Sequence, residues 1–274
     1  MIEIIHISDF HFGSSETISS QFENRFISFI TSLNNPDLII LITGDIIYKG
    51  NNSGYETAIM FINKIHSDCH IKRNNILLCP GNHDIVKMIG SGFNSFDSFS
   101  YSIRRDNHCF YSNEHVIKKT INDAIFYGIN SSYNLNHEYG LVDIDKIEAL
   151  IKKDKVKKSV IRIAFLHHHI INQFHNDSSA LRNAYDLLIL LDHYQFKYIF
   201  HGHQHSNQYL KIGESQMVIY GVKTLSNSMS GYLNGFNYYK IDFENTKILN
   251  YAYSKDKLYG NNRCDFNLIG EKII

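Results

Sequence analysis

The chain has 274 residues, 43% of them hydrophobic, which is enough for a sizeable core in one α/β domain. Lysine plus arginine and aspartate plus glutamate both count 27, so no net basic field points to a nucleic-acid partner. No stretch approaches the roughly 18 consecutive apolar residues of a membrane-spanning helix, and membrane insertion is not expected.

Ile2–Ile7 is a β-branched run that reads as a first buried strand. Phe22, Phe26, Phe29, Ile30 and Leu33 recur at helical spacing and stop near Asn34-Asn35-Pro36. Residues 38–42 read as a second strand ending at Thr43-Gly44-Asp45. Tyr55, Ala58, Ile59, Ile62 and Ile65 mark a second amphipathic helix, and Ile76–Cys79 a third strand. This β-α-β-α-β order predicts a parallel sheet with right-handed crossovers. Between 88 and 120 the pattern blurs. Its aromatic residues (Phe93, Phe96, Phe99, Tyr101, Phe110, Tyr111) read as core packing, and Arg104 and Arg105 as candidates to face a site.

Ala124–Ile129 resumes as a strand, followed by a helix over 144–151 and a strand over 160–166. The segment 181–191 reads as helical, 198–200 as a short strand, and 216–220, 237–243 and 247–253 as tyrosine-rich strands. The basic stretch Lys152-Lys153-Asp154-Lys155-Val156-Lys157-Lys158 reads as a solvated helix C-terminus and the turn beyond it. Cys69, Cys79, Cys109 and Cys264 form no C-x-x-C pair and read as reduced thiols. With no leader pattern before the first strand, a cytoplasmic protein is expected. No linker or repeat divides the chain, so a single domain over 1–274 is expected.

Five short segments carry the chemistry: Asp9-Phe10-His11, Gly44-Asp45, Gly81-Asn82-His83-Asp84, His167-His168-His169 and Gly202-His203-Gln204-His205. Most follow an apolar strand, and strand ends are where α/β sheets build sites. Oxygen and nitrogen donors without thiolate suit Mn, Zn or Fe. Asp45 is the natural bridge between two cations, being a lone carboxylate at a strand end beside a glycine. Asp9 and His11, two apart on one loop, can reach one ion. Asn82 offers a neutral amide oxygen. Asp84 reads as a partner that holds the His83 imidazole in one orientation, or as the cap of the following turn.

In this order the segments resemble the calcineurin-like metallophosphoesterases. The resemblance implies a four-layer α-β-β-α sandwich, two sheets packed together with helices on both outer faces. It implies two divalent metal ions, Mn foremost, with Fe or Zn as alternatives. One ion would be held by Asp9, His11, Asp45 and His205. The other would be held by Asp45, Asn82, His203 and one member of the histidine triplet. His167 is favoured because it directly follows the strand; His168 and His169 remain open. His201 is read as a strand-end residue outside the set. The implied activity is hydrolysis of a phosphate ester by a metal-bridging hydroxide, with His83 neutralising charge or protonating the leaving group.

The stand-alone domain, the triplet, and the helix after Tyr139-Gly140-Leu141 further resemble class III cyclic nucleotide phosphodiesterases and glycerophosphodiesterases. A small phosphodiester, a cyclic nucleotide or similar, is therefore the favoured substrate. A nuclease or a phosphomonoesterase of the same fold is the alternative, and a non-catalytic scaffold a further one. Neutral charge weighs against the nuclease, and the full ligand set against the scaffold. The His-x-His-x-Asp-His hallmark of metallo-β-lactamases is absent near the N-terminus. Specificity is expected from the loop 13–21, the aromatic segment 93–111 and the glycine-rich stretch 227–235. The sequence does not speak to oligomeric state.

Overall fold

Strands that are apolar at every position need cover on both faces, and the central strands here have it. The computed structural model describes residues 1–14, 18–87, 92–107, 110–154, 160–212, 216–226, 233–242, 245–255 and 264–274. Cys109, Lys155, Lys157, Lys158, Phe243, residues 15–17 of the loop 13–21 and residues 227–232 of the glycine-rich stretch lie outside the described residues.

The first half follows the expected order: β1 (Ile2–Ile7), α1 (Ser20–Leu33), β2 (Ile39–Thr43), α2 (Gly54–Asp68) and β3 (Ile76–Cys79), with β1, β2 and β3 paired in parallel. The Ser19 side chain caps α1 by accepting the Phe22 N–H at 3.2 Å, and Asn34 closes it in a left-handed turn. Phe26, Ile30, Ala58, Phe61 and Ile62 line the inner faces of α1 and α2 and pack against this sheet.

The aromatic segment forms α3 (Asn94–Arg104) and the chain beyond it. Phe93, Phe96, Phe99 and Tyr111 are buried in the same core, as expected, whereas Tyr101 is exposed on the outer face of α3 and Phe110 is half-buried. Arg104 does not face a site. It is 2% exposed, its guanidinium binding the Ile76 carbonyl and, at 2.8 Å, the Asp106 carboxylate. Arg105 ends α3 in the left-handed conformation and is exposed.

The second sheet is built from β4 (Val116–Ile121), β5 (Ala124–Ile129), β6 (Ile161–Phe165), β7 (Tyr198–His201), β8 (Gln208–Ile212) and β9 (Met217–Gly221), in the order β4-β5-β6-β7-β9-β8. Its core β5-β6-β7-β9 is parallel. Strand alternation splits its residues cleanly. Phe126, Ile163, Phe165, Phe200 and Tyr220 join the core of the first sheet, while Ile125, Tyr127, Ala164, Ile199 and Ile219 face α4 (Ile144–Lys152) and α5 (Ala184–His193). Helix α5 starts later than expected because Leu181 is held in extended pairing with Gly140. The strands β10 (Gly235–Ile241), β11 (Thr246–Lys255) and β12 (Cys264–Ile273) return antiparallel to the first sheet, giving β12-β11-β10-β1-β2-β3. The result is the four-layer α-β-β-α sandwich. Among the described residues no helix is long and apolar enough to cross a membrane.

Candidate metal centre

The loops leaving β1 and β2 run side by side. The main-chain N–H groups of Asp9 and His11 donate to the carbonyls of Gly44 and Asp45 at 3.1 and 3.0 Å. Phe10 and Phe12 are buried in the core and anchor the first loop. The loop after β7 closes from the other sheet: the His203 N–H donates to Asp9 Oδ2 at 3.1 Å. Asp9, His11, Asp45, His203 and His205 all have φ between 50° and 69°. That left-handed region is uncommon for residues other than glycine, and it clusters at functional sites.

These loops bring together the seven residues expected as ligands. Asp9 Oδ1, His11 Nε2 and His205 Nε2 form a triangle with edges of 3.2, 3.4 and 3.9 Å. Around His167 Nε2 lie Asn82 Oδ1 at 3.0 Å, His203 Nδ1 at 3.0 Å and Asp45 Oδ2 at 3.3 Å. Donor separations of about 3.0–3.5 Å match a cation with bonds of about 2.1 Å. Among the described residues the possible metal-holding groups are Asp9-His11-His205, His11-Asp45-His83 and Asp45-His167-His203. They interlock, because His11 and Asp45 each belong to two.

Charge points the same way. Burial works against ionisation of Asp9, yet the neighbouring His205 holds its carboxyl well below the usual range. Burial likewise opposes ionisation of Asp45, and His167 and His83 outweigh it. The two carboxylates draw positive charge in return. Burial disfavours a charged His167, but Asp45, Asp9 and the Thr43 carbonyl lift it to about 9. His203 goes the other way, to about 3, through burial and the His167 charge. A proton on His167 thus sits where a cation fits.

Orientation is set by the groups behind the donors. His167 Nδ1 faces the Thr43 carbonyl at 2.7 Å, which places its hydrogen there and leaves Nε2 for the centre. Asn82 Nδ2 donates to the His137 carbonyl at 3.0 Å, turning Oδ1 inward. His168 and His169 lie on the loop after β6 and are buried. Their rings pack 4.8 and 5.3 Å from that of His203, and they are held by Ser131 Oγ and the Asp177 carboxylate. His201 ends β7 with Nδ1 against the Gly202 carbonyl.

Asp84 requires a correction as the partner of His83. Its carboxylate accepts the N–H groups of Gly81, Ile46 and Ile47 and the Tyr55 hydroxyl. It therefore pins the Asp45 loop to the Asn82 loop. Burial and the Asp45 charge push it up to about 7 against those three N–H donors. His83 Nδ1 instead accepts the Lys49 N–H at 3.3 Å, and its ring lies 4.9 Å from His11 and 5.6 Å from Tyr48. Tyr48, Lys49 and His137 were not read from the sequence. Closeness to Asp45 could have raised Tyr48 and Lys49, whereas nothing in the sequence marks His137, 55 positions from Asn82.

The calcineurin-like phosphoesterase family model matches residues 2–207. The metallophosphoesterase-like protein YydB of Bacillus subtilis is 31% identical over 88 residues, which are 31% of this chain and 18% of that protein. Purple acid phosphatase PPD1 from yellow lupin superposes with a TM-score of 0.65 at 14% identity, over 99% of this chain and 53% of that one. This chain thus spans about half the length of the lupin enzyme. A dimetal phosphatase from Danio rerio gives a TM-score of 0.65 at 10% identity, over 91% of this chain and 95% of that one. At those identities the structural likeness is one of fold. With the family match running from β1 past the last candidate ligand, His205, the chain belongs to the calcineurin-like phosphoesterases.

Proposed function

We propose that this chain is a binuclear metal-dependent phosphoesterase that hydrolyses phosphodiesters. The observation that carries the reading is the run of interlocking donor groups, in which His11 links Asp9 and His205 to Asp45 and Asp45 links these to His167 and His203, with buried or half-buried donor atoms within 4.8 Å of one another in each group. Asp9, His11, Asp45 and His205 would hold one divalent cation, and Asp45, Asn82, His167 and His203 the other. When bound, such a pair activates water and offsets charge on the phosphoryl oxygens.

The protein's own groups do the rest. Asp45 keeps its carboxylate in place because Oδ1 accepts the His83 N–H at 2.9 Å. His83, with Nδ1 facing the Lys49 N–H, carries its hydrogen on Nε2 and can donate it to a phosphoryl oxygen or the departing alkoxide. The side chains bordering His11 and His83 include the phenol of Tyr48. The likeness of the histidine triplet and of the helix after Tyr139-Gly140-Leu141 to phosphodiesterases supports a diester over a monoester.

The test is metal content by mass spectrometry together with turnover of bis-p-nitrophenyl phosphate and p-nitrophenyl phosphate in the presence of Mn. Two ions per chain, chelator-sensitive turnover and preference for the diester are expected. Full turnover by metal-free protein would end the metal reading, and preference for the monoester would reassign the substrate.

A further inference from the structure

Residues 170–178 lie in the loop between the histidine triplet and α5, tied to the segment that carries His203 and His205. Asp177 builds this loop. Its carboxylate is 4% exposed and accepts the N–H of Gln173 at 2.9 Å, the N–H and Oγ–H of Ser179 at 3.0 and 2.8 Å, and faces His169 Nε2 at 2.7 Å. The loop is also strapped to the Gly-His-x-His segment. Gln204 Nε2 donates to the Ile171 carbonyl at 3.2 Å, and Gln173 Nε2 to Ser206 Oγ at 3.3 Å. Gln204 lies between the candidate ligands His203 and His205, and Ser206 directly follows them.

A loop so firmly tied would be expected to tuck its apolar side chains inward. Ile171 is instead 41% exposed and Phe174 62% exposed. Isolated exposed apolar residues need no explanation, but these two share a clamped loop whose anchors are neighbours of the metal donors. Tyr48 is 36% exposed and packs edge-on to His11 at 6.2 Å, and His11 lies 5.5 Å from His205. Exposed rings thus occur in two segments tied to the donor loops: Tyr48 beside His11, and Phe174 next to Gln173, whose amide holds Ser206.

The geometry points to the loop 170–178 as the specificity element of this site, with Phe174 and Ile171 receiving an apolar, ring-sized ester arm of the phosphodiester. This rests on the phosphoesterase reading for the centre beside it. An arm of that size covers Phe174 from water on binding, while a small or strongly hydrated arm such as methyl or glycerol leaves it exposed.

Phenylphosphonate and methylphosphonate, which carry no ester bond to hydrolyse, isolate this contact by calorimetric titration of the Mn-loaded full chain. The wild type is expected to bind phenylphosphonate about tenfold tighter, the scale of one aromatic contact. Phe174→Ala should bring the ratio close to one without changing methylphosphonate affinity, and Phe174→Leu should retain part of it. Because Phe174 is largely exposed, these variants should fold. An unchanged ratio in Phe174→Ala, or equal weakening for both ligands, overturns the proposal. Turnover of bis-p-nitrophenyl phosphate by the same wild-type preparation reads the phosphoesterase activity separately. Phe174-dependent discrimination without turnover would defeat the hydrolase reading and leave the loop assignment standing.

Discussion

Replacing Gly81 by alanine would place a methyl carbon 2.1 Å from Asp45 Oδ1 and 2.5 Å from the Asp45 main-chain nitrogen. Gly81 has φ −105°, open to any residue, so the perturbation is purely steric. Ordinary contact begins at 3.4 Å, so Asp45 must retreat by about 1 Å. The nitrogen cannot rotate away, and the loop is pinned by the His11 N–H on the Asp45 carbonyl. A displacement of about 1 Å at a reacting centre costs about 10²-fold in rate. Overpacking of this kind costs about 1–3 kcal/mol, and each kcal/mol lowers Tm by about 2–4 °C in a chain of this size. Gly81→Ala should therefore lose about 100-fold in kcat on bis-p-nitrophenyl phosphate at saturating Mn. Metal content should fall below two and Tm by several degrees. Wild-type turnover and full occupancy in the folded variant would show that Asp45 holds nothing that depends on its position.

Asp45→Asn removes the charge common to two donor groups and should abolish turnover while reducing metal content; near-normal activity would make Asp45 a turn residue. His83→Asn should keep both ions yet lose about 10²–10⁴-fold in rate, less for p-nitrophenyl esters than for alkyl diesters, whose poor leaving group needs the proton. Collapse of metal content in that variant would place His83 among the ligands. Asp84→Ala leaves buried N–H groups of Gly81, Ile46 and Ile47 without their acceptor. At about 1–3 kcal/mol for each buried group left unpaired, thermal denaturation should show a loss of several degrees, which Asp84→Asn partly restores; an unchanged Tm would contradict the pinning role. In the metal-free chain His167 is raised from 6.5 to about 9, so a cation must displace its proton. Metal affinity by calorimetry should rise with pH and level off above about 9. The stability that this imidazolium draws from Asp45 is complete below 6.5 and fades as pH rises through about 9. A flat affinity across that window would refute the competition.

The first sheet was legible because β1, β2 and β3 are runs of Ile and Leu buried on both sides, separated by helices with clear spacing. Strands β8 and β12 were not. Both sit at sheet edges, where exposed residues such as Lys211, Glu271 and Lys272 blur the pattern. The candidate donors could be read because strand ends deliver them. Their supporting contacts could not, because they join distant parts of the chain. His167 is oriented by a carbonyl 124 positions away, and the Asp84 carboxylate is claimed by residues 46 and 47 rather than by its neighbour. Nothing in the sequence marks the loop 170–178, since its anchors, Gln204 and Ser206, lie about thirty residues further on.

The left-handed backbone at Asp9, His11, Asp45, His203 and His205 has an evolutionary consequence. Each of these positions holds an L-residue where glycine would be about 1 kcal/mol more comfortable. A lineage under selection for a durable fold alone would drift toward glycine there and shed its donors one by one. Stability and chemistry therefore pull in opposite directions at these five codons. Their present residues persist only while something selects for the donors they carry, and descendants that keep the sandwich for another purpose should show the change first at these sites.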